Sequence, residues 1–262
     1  MKKTLITLLM VILITTSTVF AQGAKESDNN TIETTDNVIV MASNAEWPPL
    51  EYVDENGDVV GFEIDLLTEL EGVTDYTFEI KNVAWDGIFA GLANGAYDGV
   101  ISGVSVTDER KKAMSFSDVF LNIKQSIISS TDNNNPCKTL DSLVTKKAGV
   151  LIGSTSDILL QDSGLDIDIK SYDSIAFAVE DLMNGNLDCV LTDSVVAGEY
   201  VVTNKAFKGK LQITGDLEGV TEPIAMCFNK DDSFHTDIVN AGIKILKENG
   251  TMDKLYKKWA IL

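Results

Sequence analysis

Two nine-residue stretches carry the same pattern ninety positions apart: Leu92-Ala93-Asn94-Gly95-Ala96-Tyr97-Asp98-Gly99-Val100 and Leu182-Met183-Asn184-Gly185-Asn186-Leu187-Asp188-Cys189-Val190. Leucine, Asn-Gly, aspartate and valine recur at identical spacing, and each copy reads as a helix closed by glycine and followed by a strand. Duplicated units of this kind predict an α/β chain with two equivalent sheets. The register sets Thr192-Asp193 opposite Ser102-Gly103, so both copies deliver polar side chains where the strand ends. Open parallel sheets take ligands outside the carboxyl ends of their strands, and two facing units make a cleft with polar groups on both walls.

The first of those strand ends leads into Ser102-Gly103-Val104-Ser105-Val106-Thr107-Asp108-Glu109-Arg110. Asp98 to Ile101 is a buried strand, and Thr107 with Asp108 and Glu109 marks a helix N-terminus with acids in its first turn. Arg110 can grip a carboxylate through two parallel N–H bonds, with Ser102, Ser105 and Thr107 serving the remaining lone pairs or an ammonium group. On these nine residues alone, a surface turn with a solvated arginine is an equal reading. The spacing predicts strands at Val38 to Ala42, Thr77 to Ile80, Gly99 to Ser102, Lys147 to Leu151 and Cys189 to Leu191. Helices are expected over Phe62 to Leu70, Asp86 to Ala93, Asp108 to Lys112, Asp157 to Gln161, Ile175 to Met183 and within Asp237 to Trp259. This alternation means a mostly parallel sheet flanked by helices in each half.

These segments resemble the extracytoplasmic solute-binding proteins of ABC transporters, specifically the polar amino acid family (family 3), over roughly Val38 to Trp259. The resemblance is carried by Trp47-Pro48-Pro49-Leu50-Glu51-Tyr52, Gly61-Phe62-Glu63-Ile64-Asp65-Leu66, Trp85-Asp86-Gly87-Ile88, Ser105 to Arg110, Phe116-Ser117-Asp118, Gly153-Ser154-Thr155 and Gly250 to Trp259. It implies the two-lobed periplasmic binding protein fold of type II. Lobe 1 is then 37–127 with 225–262, lobe 2 is 128–224, and hinge crossings lie near 125–131 and 222–228. The implied function is capture of a free L-amino acid in the cleft and delivery to an ABC permease, with no cofactor and as a monomer. The same fold hosts periplasmic enzymes such as cyclohexadienyl dehydratase and ligand-sensing receptor domains, which stand as alternatives. An enzyme needs a general acid or base in the cleft. His235, the single histidine, is expected on a surface turn.

Carried across residue by residue, the resemblance makes Arg110 the partner of the ligand α-carboxylate, assisted by the Ser105 N–H and by Thr155 at a helix N-terminus. Ser102 and Asp193 hold the α-ammonium. For Asp193 a helix N-cap is the competing reading. Trp47 and Trp85 sandwich the side-chain stem, with core packing as their alternative, and Trp259 is assigned to the core. Gly103, Val104, Thr107, Leu151 and Ser154 complete the expected lining. Asn44 stands where relatives that take cationic amino acids often have an acid, and Leu151-Ile152 where some glutamine-selective relatives have a lysine. Both point to an uncharged polar or mildly apolar amino acid, with arginine at least about tenfold weaker.

Ahead of this region, Lys2 and Lys3 precede the apolar run Leu5 to Ile14, and Ala21 supplies the small residue before a cleavage site, which reads as a signal peptide over 1–21. Residues 22–36 are a polar lead-in expected to be disordered. No cysteine stands near the cut to take a lipid, so an exported, periplasmic protein is expected. The 262 residues carry 21 basic and 40 acidic side chains, a formal charge of −19. Nucleic acid is not expected as a partner, since counterion release requires clustered Lys and Arg that an acidic chain of this kind does not supply. Cys137, Cys189 and Cys227 are read as two packing residues and a loop thiol, with one disulfide as the alternative. A lone histidine and no cysteine pair at ligand spacing leave metal chemistry poorly supplied.

Overall fold

The computed structural model describes residues 37–261, so the expected leader and lead-in lie outside the described residues. The first lobe opens with β1 (Val38–Ser43), followed by a small antiparallel meander of β2 (Glu46–Trp47), β3 (Glu51–Val53) and β4 (Val59–Val60). Next come α1 (Phe62–Glu71), β5 (Thr77–Asn82), α2 (Ile88–Ala93), β6 (Gly99–Val100), α3 (Asp108–Ala113) and β7 (Met114–Phe116). The long strand β8 (Leu121–Ser130) leads into the second lobe. There β9 (Lys147–Leu151), α4 (Thr155–Asp162), β10 (Asp168–Tyr172), α5 (Ile175–Met183), β11 (Cys189–Asp193) and α6 (Ser194–Gly198) follow. The chain returns through β12 (Leu211–Ile224) to β13 (Cys227–Asn229), α7 (Ser233–Glu248) and α8 (Thr251–Lys258).

One sheet runs β5-β1-β6-β13-β7 and the other β10-β9-β11-β8-β12. The three-strand centres β5-β1-β6 and β10-β9-β11 are parallel, and β8 and β12 run antiparallel side by side from Leu211↔Ser130 to Ile224↔Leu121. That pair joins the two lobes. The meander, β7, β10 and β12 were not among the expected elements. His235 lies in the first turn of α7, half-buried and stacked on Phe228, not on a surface turn. All three cysteines are buried and none forms a disulfide, so Cys137 packs with Cys189 in the second lobe although it sits in a loop.

The sequence repeat has a physical cause. In both copies the helix ends in a Schellman closure: Gly95 N–H donates to Leu92 O and Ala96 N–H to Gly91 O, as Gly185 does to Leu182 and Asn186 to Asp181. Gly95 and Gly185 have φ of +71° and +76°, the left-handed region that a β-carbon disfavours. The aspartate then grips the first strand of its lobe. Asp98 Oδ2 accepts from Val40 N–H at 2.8 Å, and Asp188 Oδ2 from Lys147 N–H at 2.9 Å. Apolar residues behind these units fill the cores. Phe62, Leu66 and Leu70 of α1 pack on Ile39 and Met41 with α7 and α8, while Ala178, Val179 and Leu182 of α5 pack behind Val190. Both strand ends are thereby fixed facing one another.

Candidate ligand-binding cleft

Eleven residues line a cleft between the two sheets: Asn44, Trp47, Trp85, Ser102, Gly103, Ser105 and Arg110 from the first lobe, with Leu151, Ser154, Thr155 and Asp193 from the second. Two residues expected there lie elsewhere. Val104 is fully buried in the core with Ala42 and Met114, because extended backbone sends alternate side chains to opposite faces. Thr107 is the N-cap of α3, its hydroxyl accepting from Arg110 N–H at 3.1 Å, so its lone pair is spent on the helix.

Arg110, in the first turn of α3, lies 5.0 Å over the Phe89 ring and 5.6 Å over Trp85, and its Nη1 donates to Ser105 O at 3.0 Å. No carboxylate among the described residues pairs with it within 4.0 Å. Burial lowers its pKa, and the fields of Cys227, Glu222 and Asp193 oppose that shift. Two backbone donors stand near it. Ser105 N–H has no backbone partner among the described residues, since the neighbouring bonds run from Val106 N–H to Pro223 O and from Ala225 N–H to Val104 O. Thr155 is the first residue of α4, whose N-cap Ser154 accepts from Asp157 N–H at 3.2 Å, and first-turn amides are left open to an anion.

Across the cleft, Asp193 occupies the N-cap position of α6 without capping it. Its Oδ2 accepts from Trp47 Nε1 at 2.9 Å and its Oδ1 from Gln125 Nε2 at 2.7 Å. Burial first, then the Glu222 field, raise its pKa to about 7, against the two hydrogen bonds and Arg110. An added ammonium group would hold it ionised. Gln125 is itself oriented by Ser156, whose hydroxyl donates to its Oε1. Asn44 N–H donates to Ser102 Oγ at 2.9 Å and its Nδ2 donates to Val83 O at 3.2 Å. That second bond turns Asn44 Oδ1 into an acceptor with no donor on it among the described residues.

Four contributors escaped the sequence reading. Glu222 Oε2, on β12, accepts from Ser105 Oγ at 2.5 Å and Thr155 Oγ1 at 2.8 Å, bridging the lobes at one end of the cleft. Gln125 orients Asp193, and Glu51 and Glu63 lie behind Ser102 and Gly103. Glu51 and Glu63 stood inside motifs already recognised, whereas Glu222 and Gln125 had no local signal.

A family model described as bacterial extracellular solute-binding proteins, family 3, matches residues 39–261. This chain belongs to that family. A probable histidine-binding protein of Neisseria gonorrhoeae is 33% identical over 222 residues, covering 84% of this chain and 81% of the relative. Among solved structures, an ancestral arginine-binding protein bound to arginine superposes with a TM-score of 0.79 at 33% identity, covering 85% of this chain and 98% of that one. An ancestral amino acid-binding protein, a precursor of cyclohexadienyl dehydratase, gives 0.77 at 31% identity, covering 85% and 95%. The two-lobed fold of these structures is the fold of this chain.

Proposed function

We propose that this protein captures a free L-amino acid between its lobes and presents it to an ABC permease, as the extracytoplasmic, monomeric component of an importer. The observation that carries the reading is a half-buried guanidinium with no carboxylate partner among the described residues, Arg110, opposite a buried carboxylate, Asp193, across a cleft walled by two indoles. A zwitterion satisfies both charges at once, Trp47 and Trp85 cover its stem, and the Ser105 and Thr155 amides complete the carboxylate site. Ligand groups on both lobes, 37–127 with 225–262 and 128–224, give the closed form its differential affinity, with β8 and β12 as the hinge.

The reading of ligand class departs from the uncharged polar or mildly apolar amino acid expected from Asn44 and Leu151-Ile152. Asn44 offers an acceptor, so the ligand side chain donates. The cleft region also sets Asp193 and Glu222 against one guanidinium, so a zwitterion leaves a negative charge over and a cationic side chain offsets it. Among the relatives' names, histidine- and arginine-binding point the same way and cystine-binding does not. Arginine and histidine therefore rank ahead of glutamine. Catalysis is ranked below binding because Asp193 is committed to the ammonium group and Glu222 to the Ser105 and Thr155 hydroxyls.

A thermal-shift screen against the amino acids, followed by titration calorimetry, tests this. Melting should rise most with L-arginine or L-histidine, and Arg110→Ala should weaken that ligand by at least about a hundredfold with its circular dichroism unchanged. A neutral amino acid binding tenfold tighter than both overturns the ligand class, and an unchanged Kd in R110A overturns the carboxylate site.

A further inference from the structure

Behind the first-lobe wall two carboxyl groups are sealed from solvent. Glu51 on β3 and Glu63 on α1 are each 0% exposed, and no cation among the described residues pairs with either. Two carboxylates without a counter-charge in such a place share a proton. The partners decide where it sits. Glu63 takes the Gly103 N–H on both oxygens at 3.1 Å, the arrangement of an anion. Glu51 Oε1 accepts from Ser102 Oγ at 3.0 Å, while its buried Oε2 meets no N–H or O–H donor among the described residues, which leaves that oxygen free to carry the shared proton.

Both acids thus hold residues that line the cleft. Ser102 Oγ, anchored by Glu51, takes the Asn44 N–H. Gly103, anchored by Glu63, has φ +56° and lies against Trp47: a β-carbon there would stand 3.1 Å from Trp47 Cδ1 and 3.3 Å from Nε1, the nitrogen that binds Asp193. Neighbouring charges do not neutralise the pair. Asp193 on β11 acts on Glu51 and disfavours its ionisation, and Cys227 on β13 faces Glu63 with a thiol that burial pushes up to about 12. On α8, Lys258 is paired with Asp65 and the Tyr256 hydroxyl donates to Phe120 O, and the Arg110 field falls on Asp193, Glu222 and Cys227. Burial raises Glu51 well above the ordinary carboxyl range and Glu63 to about 7.

We propose that Glu51 and Glu63 are positioning residues for ligand binding, a proton-sharing pair whose ionised member holds Gly103, and through it Trp47, in the binding geometry. Deprotonation strengthens that hold, because a hydrogen bond to an anion is about twice as strong as one to a neutral group. Protonation of Glu63 loosens the wall, so affinity falls as pH drops through neutrality. The inference rests on the amino acid site proposed above.

Titration of the protein with L-arginine at pH 6 and pH 8 separates this from a merely structural role. Asp193 affects wild type and Glu63→Gln alike, so the quantity to read is the ratio of their Kd values. That ratio should be near one at pH 6 and about fivefold or more at pH 8. A Glu63→Gln ratio equal at the two pH values overturns the proposal. If L-arginine gives no heat, or E63Q does not fold, the infrared spectrum of the ligand-free wild type decides: a buried protonated carboxyl band persisting at pH 8 and missing in E51Q supports the pair, and its absence in wild type overturns it. Failure of every amino acid to bind, with that band present, counts against the ligand reading alone.

Discussion

The two matched strand ends solve one problem with different chemistry. In the second lobe, β11 ends on Asp193, whose own carboxylate faces the cleft, held by Gln125 and Trp47. In the first lobe, β6 runs into Ser102-Gly103, which carry no charge and are held from behind by Glu51 and Glu63. One wall presents its acid and the other hides a pair. A duplicated backbone therefore fixes where ligand groups stand, while the residue at the strand end decides whether the charge acts directly or through the backbone.

The largest consequence concerns stability. Glu51, Glu63 and Asp193 all have folded pKa values raised above those of an unfolded carboxyl, chiefly by burial. The folded chain binds more protons than the unfolded one, so stability falls as pH rises from the unfolded carboxyl range, about 4.5, to about 7, by roughly 1.4 kcal/mol per pH unit for each group in transition. Thermal melts of ligand-free protein should show a lower Tm at pH 7.5 than at pH 5. Asp193→Asn and Glu63→Gln should each flatten the profile. Ligand divides the walls: its ammonium holds Asp193 ionised and recovers that share, whereas most of the Glu51 and Glu63 share persists. A Tm that rises over this interval breaks the account of both walls.

Much of this was legible in the chain itself. The repeat showed two α/β units because the Schellman closures and the Asp98 and Asp188 grips are local devices with fixed spacing. Asp193 and the stretch leading to Arg110 stood at or just past those strand ends, whereas their ligand roles and the two tryptophans came from the family resemblance. Glu222 was not legible, because it meets Ser105 across 117 positions and Thr155 across 67, and only the pairing of β8 with β12 brings it there. Thr107 was misassigned because a hydroxyl before Asp-Glu serves a cap as readily as a ligand. Val104 was misassigned because the motif was taken as a block, although its extended backbone alternates. The β2–β4 meander left no period to read, two of its strands being two residues long.

A direct contrast between the walls comes from binding. Asp193→Asn removes a charge that faces the ammonium group, a charge-assisted bond of about 1.5–3 kcal/mol, and should weaken the ligand about ten- to a hundredfold. Ser102→Ala removes a neutral hydroxyl between Asn44 and Glu51 and should weaken it about three- to fivefold. Calorimetry on both variants, at one pH above 7, checks the order. Equal losses would mean that the first wall also acts by direct contact, and the contrast would fail.

The smallest effect tests the symmetry on which the contrast stands. Asp98 and Asp188 are both half-buried and each accepts one backbone N–H from the first strand of its lobe at nearly the same distance. Asp188 also pairs with Lys146 at 3.6 Å, but both side chains reach solvent and such a pair adds only a few tenths of a kcal/mol. Asp98→Ala and Asp188→Ala should therefore each cost about 1–2 kcal/mol in urea unfolding and agree to within about 0.5 kcal/mol. Neither residue lines the cleft, so Kd should stay within about twofold of wild type. A loss confined to one variant would show that the shared sequence pattern holds one lobe only. A change in Kd would show that the strand starts are coupled to the strand ends, and that the walls are not independent.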